Sequence, residues 1–174
     1  MTEFNQPIER QFSNVMPVRK FGFLMIITWG LYQLPWCHKQ WNFLKNRDNL
    51  NINPWLRAWF FPFTIHSLAK KIFFLAEKEG YREKTSAFQV TLIYWICIVL
   101  YQLPGIFTLL GLFYFVPFLT ILKAVNYYWE QQQPNLPVRE SFTGGEVAWI
   151  VFGAILWLFF WLLVIIGLLS PSES

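Results

Sequence analysis

The residue types that usually carry chemistry are scarce in this chain and far apart. His38 and His66 are its two histidines, 28 positions apart with no His-x-x-x-His or Glu-x-x-His companion. Metal ligation therefore has little support, and a place at a membrane interface suits them better. Cys37 and Cys97 stand 60 positions apart without paired spacing, which yields neither a disulfide framework nor a zinc site. Every Asp and Glu falls in a loop or at a segment end, so no carboxylate is expected where burial would tune it for acid–base work. No G-x-S-x-G elbow, Walker loop or dinucleotide fingerprint is present. Neither an enzyme nor a cofactor is expected.

Two weaker constellations remain. Thr91, Tyr94, Tyr101 and Gln102 share one face of an apolar segment, and Thr108, Gly111 and Asn126 share a face of the next. Together they outline a polar groove that could hold a lipid headgroup, a quinone or a small solute; interhelical hydrogen bonding and close packing is the plainer reading. Arg57, Lys70 and Lys71 could grip anionic headgroups, at about 1 kcal/mol per basic residue near the surface, or form a solvated face. Trp36, Trp41, Trp55, Trp129 and Trp149 fall near segment ends, as interfacial belts do.

The elements that must position these residues follow from composition. Hydrophobic residues make up 55% of the 174 positions, aromatics 21% and charged residues 14%, where a soluble domain carries about 25% charge. Thr85 to Leu122 and Val147 to Ser172 contain no Asp, Glu, Lys or Arg at all. A span needs about 20 apolar residues, so the second run is one span. The first is nearly twice that length, with Pro104-Gly105 at its middle, and reads as a tight hairpin of two.

The fold class expected is thus an all-α, polytopic helical membrane protein. A polar tail covers residues 1–20. An N-terminal pair of hydrophobic and amphipathic helices with basic loops covers 21–84. A transmembrane hairpin (86–103 and 106–122) and a C-terminal transmembrane helix (146–169) fill 85–174. Within the N-terminal pair, Phe21 to Trp36 is an apolar stretch of marginal length, followed by a polar stretch to Asn53. Asn53-Pro54 reads as an N-cap with Pro at the first helical position, opening a helix to about Glu79 that Gly80 ends. Thr143-Gly144-Gly145-Glu146 matches a capping box ahead of the last span.

Lys70 to Lys84 is the most basic loop, and the positive-inside rule places it in the cytoplasm. The early segments could both span, neither span, or only the first cross; the rule prefers neither, and every version puts the C-terminus outside. The partners expected are the lipid bilayer and other membrane proteins or a second copy of the chain, not nucleic acid. The role expected is an accessory, scaffold or assembly function through helix and lipid contacts. A small oligomeric transporter for a neutral or lipophilic solute is the alternative.

Thr28-Trp29-Gly30-Leu31-Tyr32 with Trp36 and Trp41, and Asn53-Pro54-Trp55-Leu56-Arg57-Ala58-Trp59-Phe60, give the first half a resemblance to a family of small, uncharacterised bacterial inner-membrane proteins with a T-x-G-x-Y-x-x-x-W signature. The resemblance implies several helices in a bacterial cytoplasmic membrane and supplies no activity. An internal echo accompanies it: Leu31-Tyr32-Gln33-Leu34-Pro35 recurs as Leu100-Tyr101-Gln102-Leu103-Pro104, and Phe60-Phe61-Pro62-Phe63 is echoed by Phe115-Val116-Pro117-Phe118. Two copies of one helical hairpin would produce this pattern, as repeats do in transporters.

Overall fold

Turn and cap residues divide the chain into short helices before packing gathers them. Residues 12–82 and 85–169 are described by a computed structural model. The first part of the polar tail, Lys84 of the basic loop and the last residues of the chain lie outside the described residues. Among those described, the fold is all-helical: α1 (Val18–Ile27), α2 (Gln33–Asp48), α3 (Pro54–Trp59), α4 (Phe61–Lys78), α5 (Ala87–Tyr101), α6 (Ile106–Gly111), a 3-10 turn (Leu112–Phe115), α7 (Val116–Gln132) and α8 (Gly144–Leu169).

Local chemistry explains most boundaries. Asn53 caps α3 by accepting from the N–H groups of Trp55 (3.0 Å) and Leu56 (3.2 Å), with Pro54 in the first turn where no amide is needed. Ser86 and Gln89 form a reciprocal capping box on α5. The α5–α6 hairpin turns at Pro104-Gly105, where Gly105 takes φ 72°, a conformation cheap only for glycine.

Three expectations about the first half need correction. The apolar stretch Phe21 to Trp36 is not one segment: α1 ends at Ile27, the chain reverses at Trp29-Gly30, and Pro35 sits inside the first turn of α2 rather than closing a helix. The polar stretch from His38 belongs largely to α2, because Cys37, Trp41 and Leu44 bury one side of it. The helix from Pro54 to Glu79 breaks at Phe60, since Pro62 cannot donate the bond a continuous helix requires. The Thr64 hydroxyl spans that break by donating to the Arg57 carbonyl at 2.7 Å.

The core sits where α2, α4, α5 and α7 meet. The rings of Phe61 and Phe118 stack with centroids 4.5 Å apart, and Tyr94 stands edge-on to both at 5.4 and 6.1 Å. Trp36 meets Phe118 from the other side at 6.1 Å. Leu68, Ile121 and Leu122 are fully buried around them, each burial worth about 1.5–3 kcal/mol. From this core α2, α4 and α7 run to one basic pole. There Tyr127 donates to the Glu79 carbonyl (3.3 Å) and Lys71 pairs with Asp48 (3.8 Å).

Helix α1 runs parallel to α8. Lys20 lies beside Glu146, and Trp29 packs edge-on against Trp157 and Phe160. Two helices are long and apolar enough to cross a membrane, where the sequence suggested three: Ile106–Gln132, running through α6, the 3-10 turn and α7, and Gly144–Leu168. The arm α5 is apolar, but at 15 residues it falls short of the roughly 20 that a span requires. Only 6% of the most apolar stretch of α8 is buried inside the protein.

Candidate functional site

The four signature residues build one turn. The Thr28 hydroxyl donates to the Leu24 carbonyl (2.7 Å) and accepts from the Tyr32 N–H (3.0 Å), which closes α1 and opens the return path. Trp29 (φ 51°) and Gly30 (φ 81°) are both left-handed, and Tyr114 donates its hydroxyl to the Trp29 carbonyl at 3.1 Å. A Cβ at Gly30 would displace the Tyr114 hydroxyl, so glycine is needed here for φ and leaves room for the Tyr114 contact. The reversal carries Tyr32 and, one turn on, Trp36 back against Phe21, with ring centroids at 6.3 and 5.3 Å.

Tyr32 and Trp36 form the roof of a polar cavity of about 450 Å³. One further turn along α2, Lys39 and Gln40 lie on the same side, as i+3 and i+4 spacing dictates. The opposite wall is the segment leading into α1. Its backbone is clamped to α7 by Asn126, which accepts from the Met16 N–H (2.9 Å) and donates to the Met16 carbonyl (2.7 Å). Gln133 accepts from the Asn14 N–H at 2.9 Å. The floor is the connection into α8, where Thr143 and Glu146 form the expected capping box: the Thr143 N–H donates to Glu146 at 2.7 Å and the Glu146 N–H donates to the Thr143 hydroxyl at 3.3 Å.

Electrostatics give the cavity its character. Lys20, Lys39 and Arg139 line it against the single carboxylate of Glu146. Lys20 is engaged, pairing with Glu146 at 2.8 Å and donating to the Ser141 carbonyl at 2.9 Å. Arg139 stacks over the Phe12 ring at 4.4 Å, and its buried Nε has no hydrogen-bond partner among the described residues. Partial desolvation of the otherwise exposed Lys39 side chain lowers its pKa, with Glu146 opposing that shift and Lys20 adding to it. Burial first, then the charge of Glu146 and a hydrogen bond to its carboxylate, push the Tyr32 phenol up, so it donates to Glu146. The set is made of cations and donors, the equipment for holding an anion.

The residues expected to form the groove or grip headgroups lie elsewhere, with one exception. Thr91 donates to the Ala87 carbonyl and lies 3.5 Å from His66. Tyr94 is in the ring cluster of the core. Gln102 is exposed in the turn after α5, Thr108 bonds back to Leu103, and Asn126 stands near the basic pole as the clamp on Met16. The five are therefore not brought into one groove; Asn126 alone reaches the polar cavity. Tyr94 and Tyr101 line a second, more apolar cavity of about 680 Å³ beside Trp29 and Trp157. Of the basic residues, Arg57 covers the Trp41 ring at 4.4 Å, Lys71 pairs with Asp48, and Lys70 is exposed. His38 stacks on Trp55 at 4.1 Å.

Lys20, Lys39 and Arg139 escaped sequence reasoning because they come from three separate regions of the chain. The available signal was the signature itself, whose Tyr32 and Trp36 mark where α2 folds back. No protein-family model, curated protein or solved structure matches the chain.

Proposed function

We propose that this chain is an integral membrane protein that works by binding, as an accessory subunit or assembly scaffold, and not by catalysis. In this reading α8 and the α5–α7 hairpin sit among acyl chains of a bacterial inner membrane. The α1–α2 and α3–α4 pairs enter only partway, the basic pole faces the cytoplasm, and the C-terminus lies outside. The resemblance of the signature turn to small inner-membrane proteins agrees with that placement.

The observation that carries the reading is the surface of α8. Past Glu146 the helix holds no charge, and Ile155, Leu158, Leu162 and Ile166 are more than half exposed. In water such a patch would drive association; among lipids or against a partner helix it is the expected surface. Small residues and aromatics along it suit helix–helix packing.

Photo-crosslinking from single positions along α8 in living cells, after sedimentation of alkali-washed membranes, tests both parts. The chain should stay in the membrane pellet, and discrete protein adducts should recur every three to four positions, marking one covered face. Release into the supernatant would remove the membrane assignment. A pelleted chain giving no discrete adduct from any position would leave the accessory role without a partner and refute it.

A further inference from the structure

We propose that the polar cavity between α1, α2 and the base of α8 is a binding site for a phosphate ester. Three cationic side chains face one carboxylate there, an excess of two positive charges. A bound carboxylate would neutralise one of them; a phosphate group, at about −1.5 to −2, answers both. Lys20 is already committed to Glu146, so the ligand charge falls to Lys39 and Arg139. Neither has an ion pair among the described residues.

The geometry suits that chemistry. Arg139 lines the cavity with its guanidinium over the Phe12 ring, 4.4 Å from the centroid, and its buried Nε is without a hydrogen-bond partner among the described residues. A guanidinium fixed in this way offers its fork of N–H donors to two oxygens of one phosphate. Lys39 adds a compact charge from the mouth of the cavity, while the Tyr32 phenol, like Lys20, is directed to Glu146. About 450 Å³ lies within the range of small-ligand sites, so the cavity holds the phosphate together with the first atoms esterified to it. Its lining includes Trp149, on the apolar helix α8, which gives an acyl tail a route out. A lipid headgroup and a soluble phosphate ester present the same group to these residues.

Calorimetric titration of the full chain in a neutral maltoside detergent separates the two sources. One arm uses inorganic phosphate, a second dihexanoyl phosphatidic acid, and a third dihexanoyl phosphatidylcholine. Saturable binding of phosphate alone assigns the site to soluble esters, and saturation by phosphatidic acid only assigns it to a lipid headgroup. Arg139→Gln and Lys39→Gln should each weaken that binding roughly tenfold, the loss of one charge-assisted bond, while Lys123→Gln, exposed on α7 outside the cavity, leaves it unchanged. Lys39 is exposed on α2, so its replacement reports on binding even where the Arg139 variant folds poorly. Failure of both phosphate probes to saturate, or wild-type binding by both cavity variants, would overturn the site. Because the measurement needs no bilayer and no partner, such a failure leaves the accessory role standing.

Discussion

Lys20 and Glu146 form an ion pair of 2.8 Å that ties the base of α1 to the start of α8, with the two side chains 8% and 14% exposed. The same carboxylate caps α8 through Thr143, so one residue sets both where the last helix begins and what it leans on. Lys20→Met leaves that carboxylate with its cap but without its cation. Removing one partner of a buried pair costs about 3–5 kcal/mol, and the retained cap puts this loss near about 3 kcal/mol. Unfolding in mixed detergent micelles should show it, with Lys20→Met/Glu146→Gln recovering part of the loss.

Thr28 is the hinge pin of the reversal. Its hydroxyl is buried, and it serves the Leu24 carbonyl and the Tyr32 N–H together. Thr28→Val keeps the shape and strands the Tyr32 N–H, at about 1–3 kcal/mol, while the Leu24 carbonyl keeps the Thr28 backbone N–H at 3.2 Å; Thr28→Ser keeps both hydroxyl bonds and should unfold close to wild type. Equal losses in the two variants would mean that the methyl group, and not the hydroxyl, matters.

The parts of this fold legible from sequence are those fixed by neighbours in the chain. Asn53-Pro54, Pro104-Gly105 and Thr143 with Glu146 act through groups within a few residues, and each takes the place its chemistry assigns. The reversal at Trp29-Gly30 is different. The apolar run around it is uniform, and Tyr114, 85 positions away, holds the turn. The repeated pentapeptide makes the same point: Gln33-Leu34-Pro35 opens α2, whereas Gln102-Leu103-Pro104 follows the end of α5. The second echo does keep its meaning, since Pro62 and Pro117 each sit in the first turn of a long helix, with Phe61 and Phe118 stacked between those helices. The polar cavity was illegible because Lys20, Lys39 and Arg139 meet only after α1 has folded back.

Gly153 governs how closely α8 approaches its neighbour. An added Cβ there would run into the Ile27 carbonyl, whereas Gly167 faces open space. Gly153→Leu should push α8 off α1 and separate Trp29 from Trp157 and Phe160, costing about 1–3 kcal/mol as overpacking does. Gly167→Leu is the matched control and should be neutral. The unfolding midpoints of the two variants decide it.

Cys37 is fully buried, and burial pushes its thiol pKa up, so it is both inaccessible and poor in thiolate. Maleimide should leave it unlabelled in the folded protein and react once denaturant is added. Sidedness must therefore be read from a new thiol. Asn46→Cys, on the exposed side of α2 near the basic pole, should be protected in intact cells and labelled after permeabilisation. Labelling in intact cells would place that pole outside.

Lys39 ties the cavity to pH. Its pKa is lowered by partial desolvation and by Lys20, with Glu146 opposing, and Arg139 and the Tyr32 phenol also line the cavity. In the ligand-free chain the cost of the charged ammonium is complete below the lowered pKa. It disappears as pH climbs towards the ordinary lysine value, so stability contributed by this residue rises with pH across that window. Phosphate binding must run the other way, because the ligand needs the charged form. Phosphate is already fully ionised above about pH 8, so affinity should fall as pH climbs through the lowered lysine pKa, below the ordinary lysine value. Lys39→Gln should bind more weakly at every pH and lose most of that slope. A wild-type slope retained in Lys39→Gln would assign the titration to another group and take Lys39 out of the site.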